Sequence, residues 1–180
     1  MDSQTPKVST SSEIHIRLLI TGGTFDKEYN ELTGQLFFRD THVQDMLDLG
    51  RCRVGVTVEK LMMRDSLEMT QEHRSEIREA CRRSRESRIV ITHGTDTMEQ
   101  TARCLGEANL DKTIILTGAM VPYKFGSSDG LFNLGAAIAL AQALPPDIYV
   151  AMNGRFFIWS NVTKDRQTGE FKELARAPDR

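Results

Sequence analysis

Two threonines follow apolar runs at positions where a hydroxyl could act as a nucleophile. The first run, Ile16 to Ile20, leads into Thr21-Gly22-Gly23-Thr24. The second, Arg88 to Ile91, leads into Thr92-His93-Gly94-Thr95-Asp96-Thr97. In an open parallel sheet the strand C-termini line one edge, and ligands bind there. Thr24 behind a glycine pair and Thr95 beside the Asp96 carboxylate therefore suggest a nucleophile site. Each segment also has a plainer reading. TGGT is a sharp strand-to-loop turn, and Asp96 with Glu99 three residues on reads as a capping box that starts the next helix. Capping and ligand binding are compatible, because a helix N-terminus offers N–H groups to a carboxylate.

A threonine hydroxyl is a weak nucleophile until a base takes its proton. Lys164, after Trp159-Ser160-Asn161-Val162-Thr163, is a candidate amine, though the local sequence alone leaves it anonymous. Tyr29 lies in a polar stretch from Phe25 to Gly34, long for a strand–helix connection and read as a lid-like loop. Its phenol could cover a substrate or hold the threonine hydroxyl. Other chemistries lack their signatures. TGGT is neither GxGxxG nor a GK[ST] phosphate loop. His15, His42, His73 and His93 show no metal-ligand spacing, so neither a metal nor an organic cofactor is expected. Cys52, Cys81 and Cys104 form no CxxC pair and fit reduced thiols in a cytoplasm; the latter two fall in helices, where packing is their expected role.

The elements that must position these residues alternate between β-branched runs and helical patterns, as in an α/β fold. Strands are expected at Ile14 to Ile20, Val54 to Val58, Arg88 to Thr92, Thr113 to Leu116 and Ile148 to Met152. Phe156 to Trp159 adds a sixth strand or an edge hairpin. Helices are expected at Thr41 to Leu49, Thr70 to Arg85, Met98 to Glu107 and Leu131 to Leu144. In the second of these, arginines interleave with glutamates, as on a solvated, ion-paired face. The tail from Lys164 carries no clear pattern. These elements predict one three-layer α/β/α domain over 14–180, Rossmann-like or flavodoxin-like, with a mostly parallel sheet. Residues 1–13, polar and without an apolar h-region, read as a disordered lead-in and not as a secretory signal. The net charge of −2 gives no electrostatic reason for a nucleic-acid partner, and no apolar run approaches the roughly 20 residues of a membrane span.

Taken together, five segments in order resemble the bacterial-type L-asparaginases. They are Leu19 to Thr24, Asp65-Ser66-Leu67-Glu68-Met69, Ile91 to Glu99, Thr117 to Pro122 followed by Ser128-Asp129-Gly130 and Asn133-Leu134, and Asn161 to Lys164. The resemblance implies hydrolysis of L-asparagine to L-aspartate and ammonia. Thr24 would be the nucleophile and Tyr29 its cover. Thr95, Asp96 and Lys164 would be the second catalytic set, with the Thr95 N–H among the oxyanion donors. Asp65, Ser66, Thr95, Asp96 and Ala119 would bind substrate. It also implies a homo-oligomer, dimer or tetramer, in which a partner chain helps close the site. Two features depart from the family pattern. The chain ends without the second, C-terminal domain usual in the family, as in a short single-domain branch or an N-terminal fragment. Leu67 and Glu68 replace the usual polar residue and aspartate, and a leucine cannot donate to a carboxylate. Two other functions share parts of the motif set: a non-hydrolytic amino-acid-binding module, and the amidase subunit of a tRNA-dependent amidotransferase. The near-neutral charge gives the latter little support.

Overall fold

The computed structural model describes residues 14–174, so the expected lead-in at 1–13 lies outside the described residues. Among the described residues ten strands occur in chain order: β1 (His15–Gly22), β2 (Lys27–Asn30), β3 (Gln35–Phe38), β4 (Gly55–Arg64), β5 (Arg88–Thr92), β6 (Thr113–Thr117), β7 (Asp147–Met152), β8 (Arg155–Ile158), β9 (Thr163–Lys164) and β10 (Phe171–Lys172). The helices are α1 (Val43–Leu49), α2 (Gln71–Arg83), α3 (Met98–Gly106) and α4 (Gly130–Ala143). None is long and apolar enough to cross a membrane.

Six strands form one sheet in the order β4-β1-β5-β6-β7-β8. The first five pair in parallel and β8 returns antiparallel to β7. The turn that reverses the chain is Asn153-Gly154, with both φ values positive (52° and 80°), the Asn-Gly pair that favours a type I′ hairpin. Counting only the parallel strands, the spatial order is second, first, third, fourth, fifth. This is the flavodoxin-like winding, whose switch point lies between the first and third strands. Here those strands are β1 and β5, which carry the two threonine segments.

Alternation along the strands divides the core into two faces. Leu19, Ile89, Ile91, Ile114 and Leu116 pack with Ile77 and Cys81 of α2 and with Met98 and Leu105 of α3. Ile16, Leu18, Ile20, Val90 and Ile115 pack with Met46 of α1 and with Leu134 and Ile138 of α4. The expected three layers are therefore present. Burial raises the Cys81 thiol to about 12, which suits its packing role.

The structure departs from the sequence reading in four places. The second strand of the sheet runs on to Arg64, past the polar Glu59-Lys60 pair, because β4 is an edge strand and half of it faces solvent. The expected loop from Phe25 to Gly34 includes a strand: β2 pairs antiparallel with β3. Asn30 shapes the turn between them, its side-chain oxygen accepting from the N–H groups of Leu32 (3.0 Å) and Thr33 (3.2 Å). The unassigned tail forms a second hairpin, β9 with β10, anchored by the buried Phe171. Finally, Asp96 does not cap α3; Thr97 is the residue before the helix, and no side chain makes a capping bond there.

Candidate active site

The two threonine segments meet because their backbones touch. Ile20 of β1 pairs with Thr92 of β5, so both strands end at the same edge. Beyond that edge, a Cβ on Gly23 would lie 2.3 Å from the Gly94 nitrogen, and one on Gly94 would lie 2.6 Å from the Ser66 side chain. Gly23 also has a φ of 83°, which L side chains rarely adopt. These absent side chains let three loops close on one another: those carrying Thr24, Ser66 and Thr95. Thr97 adds a tie, its hydroxyl donating to the Ser66 carbonyl at 2.7 Å.

Lys164 enters this convergence from β9, 69 residues after Thr95 in the chain. Its Nζ donates to Thr95 Oγ1 at 2.8 Å and to Asp96 Oδ1 at 2.7 Å. The lysine side chain is only 7% exposed, whereas that of Asp96 is 44% exposed. Glu99 holds the same residue from the other side, Oε2 accepting from the Lys164 backbone N–H at 2.8 Å. The Asp96/Glu99 spacing that resembles a capping box thus serves to clamp a lysine. A cleft of ≈ 480 Å³ opens over this cluster, lined by Leu67, Asp96, Met120, Lys164 and the Arg166–Gly169 turn. Chemically, the arrangement sets an amine between a hydroxyl and a carboxylate, so a proton can pass among the three.

His93 supports the Thr95 segment from within the core. It is fully buried, its Nδ1–H donating to the Gly94 carbonyl (2.7 Å) and its Nε2 accepting from Thr101 Oγ1 (2.8 Å). Burial drives its pKa down to about 4, so the ring is neutral at pH 7.

The Thr24 side is built differently. Thr24 opens a short 3-10 turn, Thr24–Asp26, and its half-buried hydroxyl makes no hydrogen bond among the described residues. Asp26 fixes the turn to the start of α1: its fully buried carboxyl accepts from Thr41 Oγ1 and from the His42 N–H, both at 2.9 Å. Burial outweighs these bonds and raises the Asp26 pKa, and its second oxygen has no partner among the described residues. His42 Nε2 lies 3.2 Å from Glu28 Oε1 of β2, off the line of a hydrogen bond. Tyr29 makes no hydrogen bond to Thr24. It is 56% exposed on β2, and its hydroxyl lies 3.9 Å from where a Gly34 Cβ would stand, at the hairpin turn.

The remaining candidates surround these two centres. Ser66 is buried against Gly94 at the end of β4. Asp65 accepts from the Leu67 N–H at 3.0 Å and pairs with Lys27. Burial opposes its charge, but those two partners prevail and lower its pKa. Ala119 is fully buried and does not line the cleft; its neighbour Met120 does, with Sδ 3.6 Å from Thr95 Oγ1. The Asp129 carboxylate binds the Met120 N–H (2.9 Å) and Val121 N–H (3.1 Å), fixing that loop. Among the described residues, no three His, Cys, Asp or Glu side chains gather as a metal site would require. Glu99, Met120 and Arg166 are the residues of this site that the sequence reading missed. Glu99, at the end of the Ile91–Glu99 segment, and Met120, within Thr117–Pro122, lay in segments that carried a sequence signal for the site; Arg166 carried none.

Comparison with known proteins gives a consistent result. The family model for the asparaginase N-terminal domain matches residues 15–173. A glutaminase-asparaginase of Acinetobacter glutaminasificans is 46% identical over 80 residues, 42% of this chain and 24% of that protein. L-asparaginase 2 of Escherichia coli K12 is 39% identical over 96 residues, 50% of this chain and 28% of that protein. Among solved structures, the thermostable L-asparaginase from Thermococcus kodakarensis superposes with a TM-score of 0.77 at 29% identity, covering 89% of this chain and 51% of that one. The chain thus spans about half the length of the solved relative. Fold, motif order and the match over nearly all described residues agree: the chain belongs to the asparaginase family, as its N-terminal domain.

Proposed function

We propose that this chain hydrolyses the side-chain amide of a small amino acid, foremost L-asparagine, to L-aspartate and ammonia. The observation that carries the reading is Lys164 Nζ, buried and bonded to both Thr95 Oγ1 (2.8 Å) and Asp96 Oδ1 (2.7 Å). In the proposed reaction the Thr24 hydroxyl adds to the amide carbon and the C–N bond breaks. The hydroxyl proton leaves with ammonia, and an ester to Thr24 remains. Water then adds to the ester, the C–Oγ bond breaks, and Thr24 regains its proton. Thr95, Lys164 and Asp96 are assigned to moving the proton: the amine in its neutral form takes it from a hydroxyl or water and gives it up as ammonia leaves. The Thr95 N–H is assigned to the oxyanion and the half-exposed Asp96 to the substrate ammonium. Ser66 and Asp65 are assigned to shaping the substrate loop. Tyr29 is assigned to covering Thr24 once substrate is bound, which requires the β2–β3 hairpin to move.

The exposed Tyr29 and the unengaged Thr24 hydroxyl favour one second reading: a module that binds an amino acid without turning it over. Ammonia release from L-asparagine, L-glutamine and D-asparagine, by the wild type and Thr24→Ala, separates the two. Glutamine belongs in the set because the Acinetobacter relative is named for both activities. Turnover lost in Thr24→Ala supports hydrolysis. Turnover unchanged in that variant removes Thr24 as nucleophile, and aspartate binding without turnover establishes the module. Self-association is part of the proposal, and light scattering reads it directly.

A further inference from the structure

One part of the cleft wall is the turn between β9 and β10, and it is held firmly in place. The Gly169 N–H donates to the Asp165 carbonyl at 2.8 Å, and the Asp165 carboxylate accepts from the Gln167 N–H at 2.9 Å. Lys172 Nζ pairs with the same carboxylate at 2.8 Å. The turn leans on Met120, whose Cε lies 3.0 Å from where a Gly169 Cβ would stand. Below it, Phe171 is buried in the core and Lys164 is locked into the catalytic cluster. This turn presents Arg166 to the cleft.

The charges lining the cleft do not cancel. Asp96 and Lys164 neutralise each other, whereas Arg166 makes neither an ion pair nor a side-chain hydrogen bond among the described residues. Leu67, 64% exposed and also lining the cleft, offers no side-chain donor. An asparagine brings an ammonium, which suits Asp96, and a carboxylate, for which Arg166 is the unpaired cation lining the cleft among the described residues. A guanidinium meets a carboxylate with two parallel N–H bonds, a geometry a lysine lacks. We infer that Arg166 is the specificity-determining residue of this site, binding the substrate's α-carboxylate in place of a donor on the Leu67 wall. The inference rests on the hydrolase reading for its substrate, but not for its test.

The test compares wild type, Arg166→Ala and Arg166→Lys on L-asparagine and on 3-aminopropanamide, which is asparagine without its carboxylate. Loss of a charged hydrogen-bond pair predicts a rise in KM for asparagine of about ten- to a hundredfold in Arg166→Ala, with kcat little changed. Arg166→Lys should recover part of the loss, and 3-aminopropanamide should not distinguish the variants. An asparagine preference that survives in Arg166→Ala overturns the inference. In parallel, calorimetric titration with L-aspartate should show the same ten- to a hundredfold weakening in Arg166→Ala, by about the same arithmetic. If the wild type hydrolyses neither amide, the hydrolase reading fails, and this titration still decides. Binding that needs Arg166 upholds the inference; binding indifferent to Arg166, or no binding, overturns it. Arg166 is exposed on a turn, so its substitution should leave the far-UV circular dichroism unchanged.

Discussion

Around Thr95, the hydroxyl, Asp96, Glu99 and Lys164 satisfy one another, and Lys164 is buried. Around Thr24, the hydroxyl makes no hydrogen bond among the described residues, and Tyr29 projects from a hairpin that pairs with no strand of the main sheet. Both sides start from equivalent strand ends at one switch point, so topology does not explain the contrast. The difference lies in the element behind each threonine. Behind Thr95 comes α3, packed on the sheet through Met98 and Leu105. Behind Thr24 comes a two-stranded hairpin, an element only marginally stable by itself in water. One side is preorganised by the core; the other has its closing element on the surface.

The sharpest way to break this contrast is to empty the preorganised side. Lys164→Met keeps the length of the side chain and removes the amine, and should lower kcat by about 10²–10⁴-fold, the range for loss of a positioned acid or base. Ammonia release at saturating asparagine measures it. Activity retained within a few-fold would mean that the Lys164 cluster is structural.

Acid should act on the two sides in opposite directions. His93, behind Thr95, has its pKa lowered from 6.5 to about 4 by burial, so the unfolded chain takes up a proton before the folded one does. Its contribution is fully present above pH 6.5 and is lost as the pH falls towards 4, a change of about 3 kcal/mol. Asp26, behind Thr24, has its pKa raised by burial, so here the folded chain takes up the proton first. Its contribution grows as the pH falls through the raised value and declines as the pH rises again. Urea unfolding at a series of pH values should therefore show a flatter acid limb for His93→Gln and a steeper acid loss for Asp26→Asn, each against the wild type. Parallel profiles for all three proteins would sink both assignments.

A smaller effect is expected one step away from the amine. Glu99→Ala leaves the Lys164 N–H without its acceptor and should lower kcat about tenfold with KM nearly unchanged, the consequence of losing one charged hydrogen bond. Glu99→Gln retains an acceptor and should restore most of the loss. If Glu99→Gln falls as far as Glu99→Ala, the residue acts through its charge and not by positioning the strand.

Residues close in sequence account for most of what could be read without the structure. Ile16 to Ile20 and Arg88 to Ile91 are mostly apolar, rich in β-branched residues and each followed within three residues by a glycine, so strands, layers and the shared edge follow from pattern alone. The same locality misleads at Glu99, because a capping box and a lysine clamp share the i, i+3 spacing. The partner that tells them apart lies 65 residues away, at Lys164. Arg166 was invisible for a related reason: the β9–β10 hairpin depends on Phe171 reaching the core, and a charged tail gives no period to announce it. Tyr29 was legible as a loop residue near Thr24, but not its direction, which depends on which way a two-stranded ribbon lies.

That direction is where the contrast between the two sides is finest. An exposed tyrosine should contribute little to folding, so Tyr29→Phe should move stability by less than about 0.5 kcal/mol. If the hairpin folds over Thr24 during turnover, the lost hydroxyl removes one hydrogen bond made only then, and kcat should fall about five- to tenfold. A variant as active as the wild type would assign closure to some other group and leave the hairpin a surface ribbon. A variant both less active and less stable would mean that Tyr29 already supports the resting fold. Only loss of activity without loss of stability fits a Thr24 side that is completed by its substrate, beside a Thr95 side that the fold completes in advance.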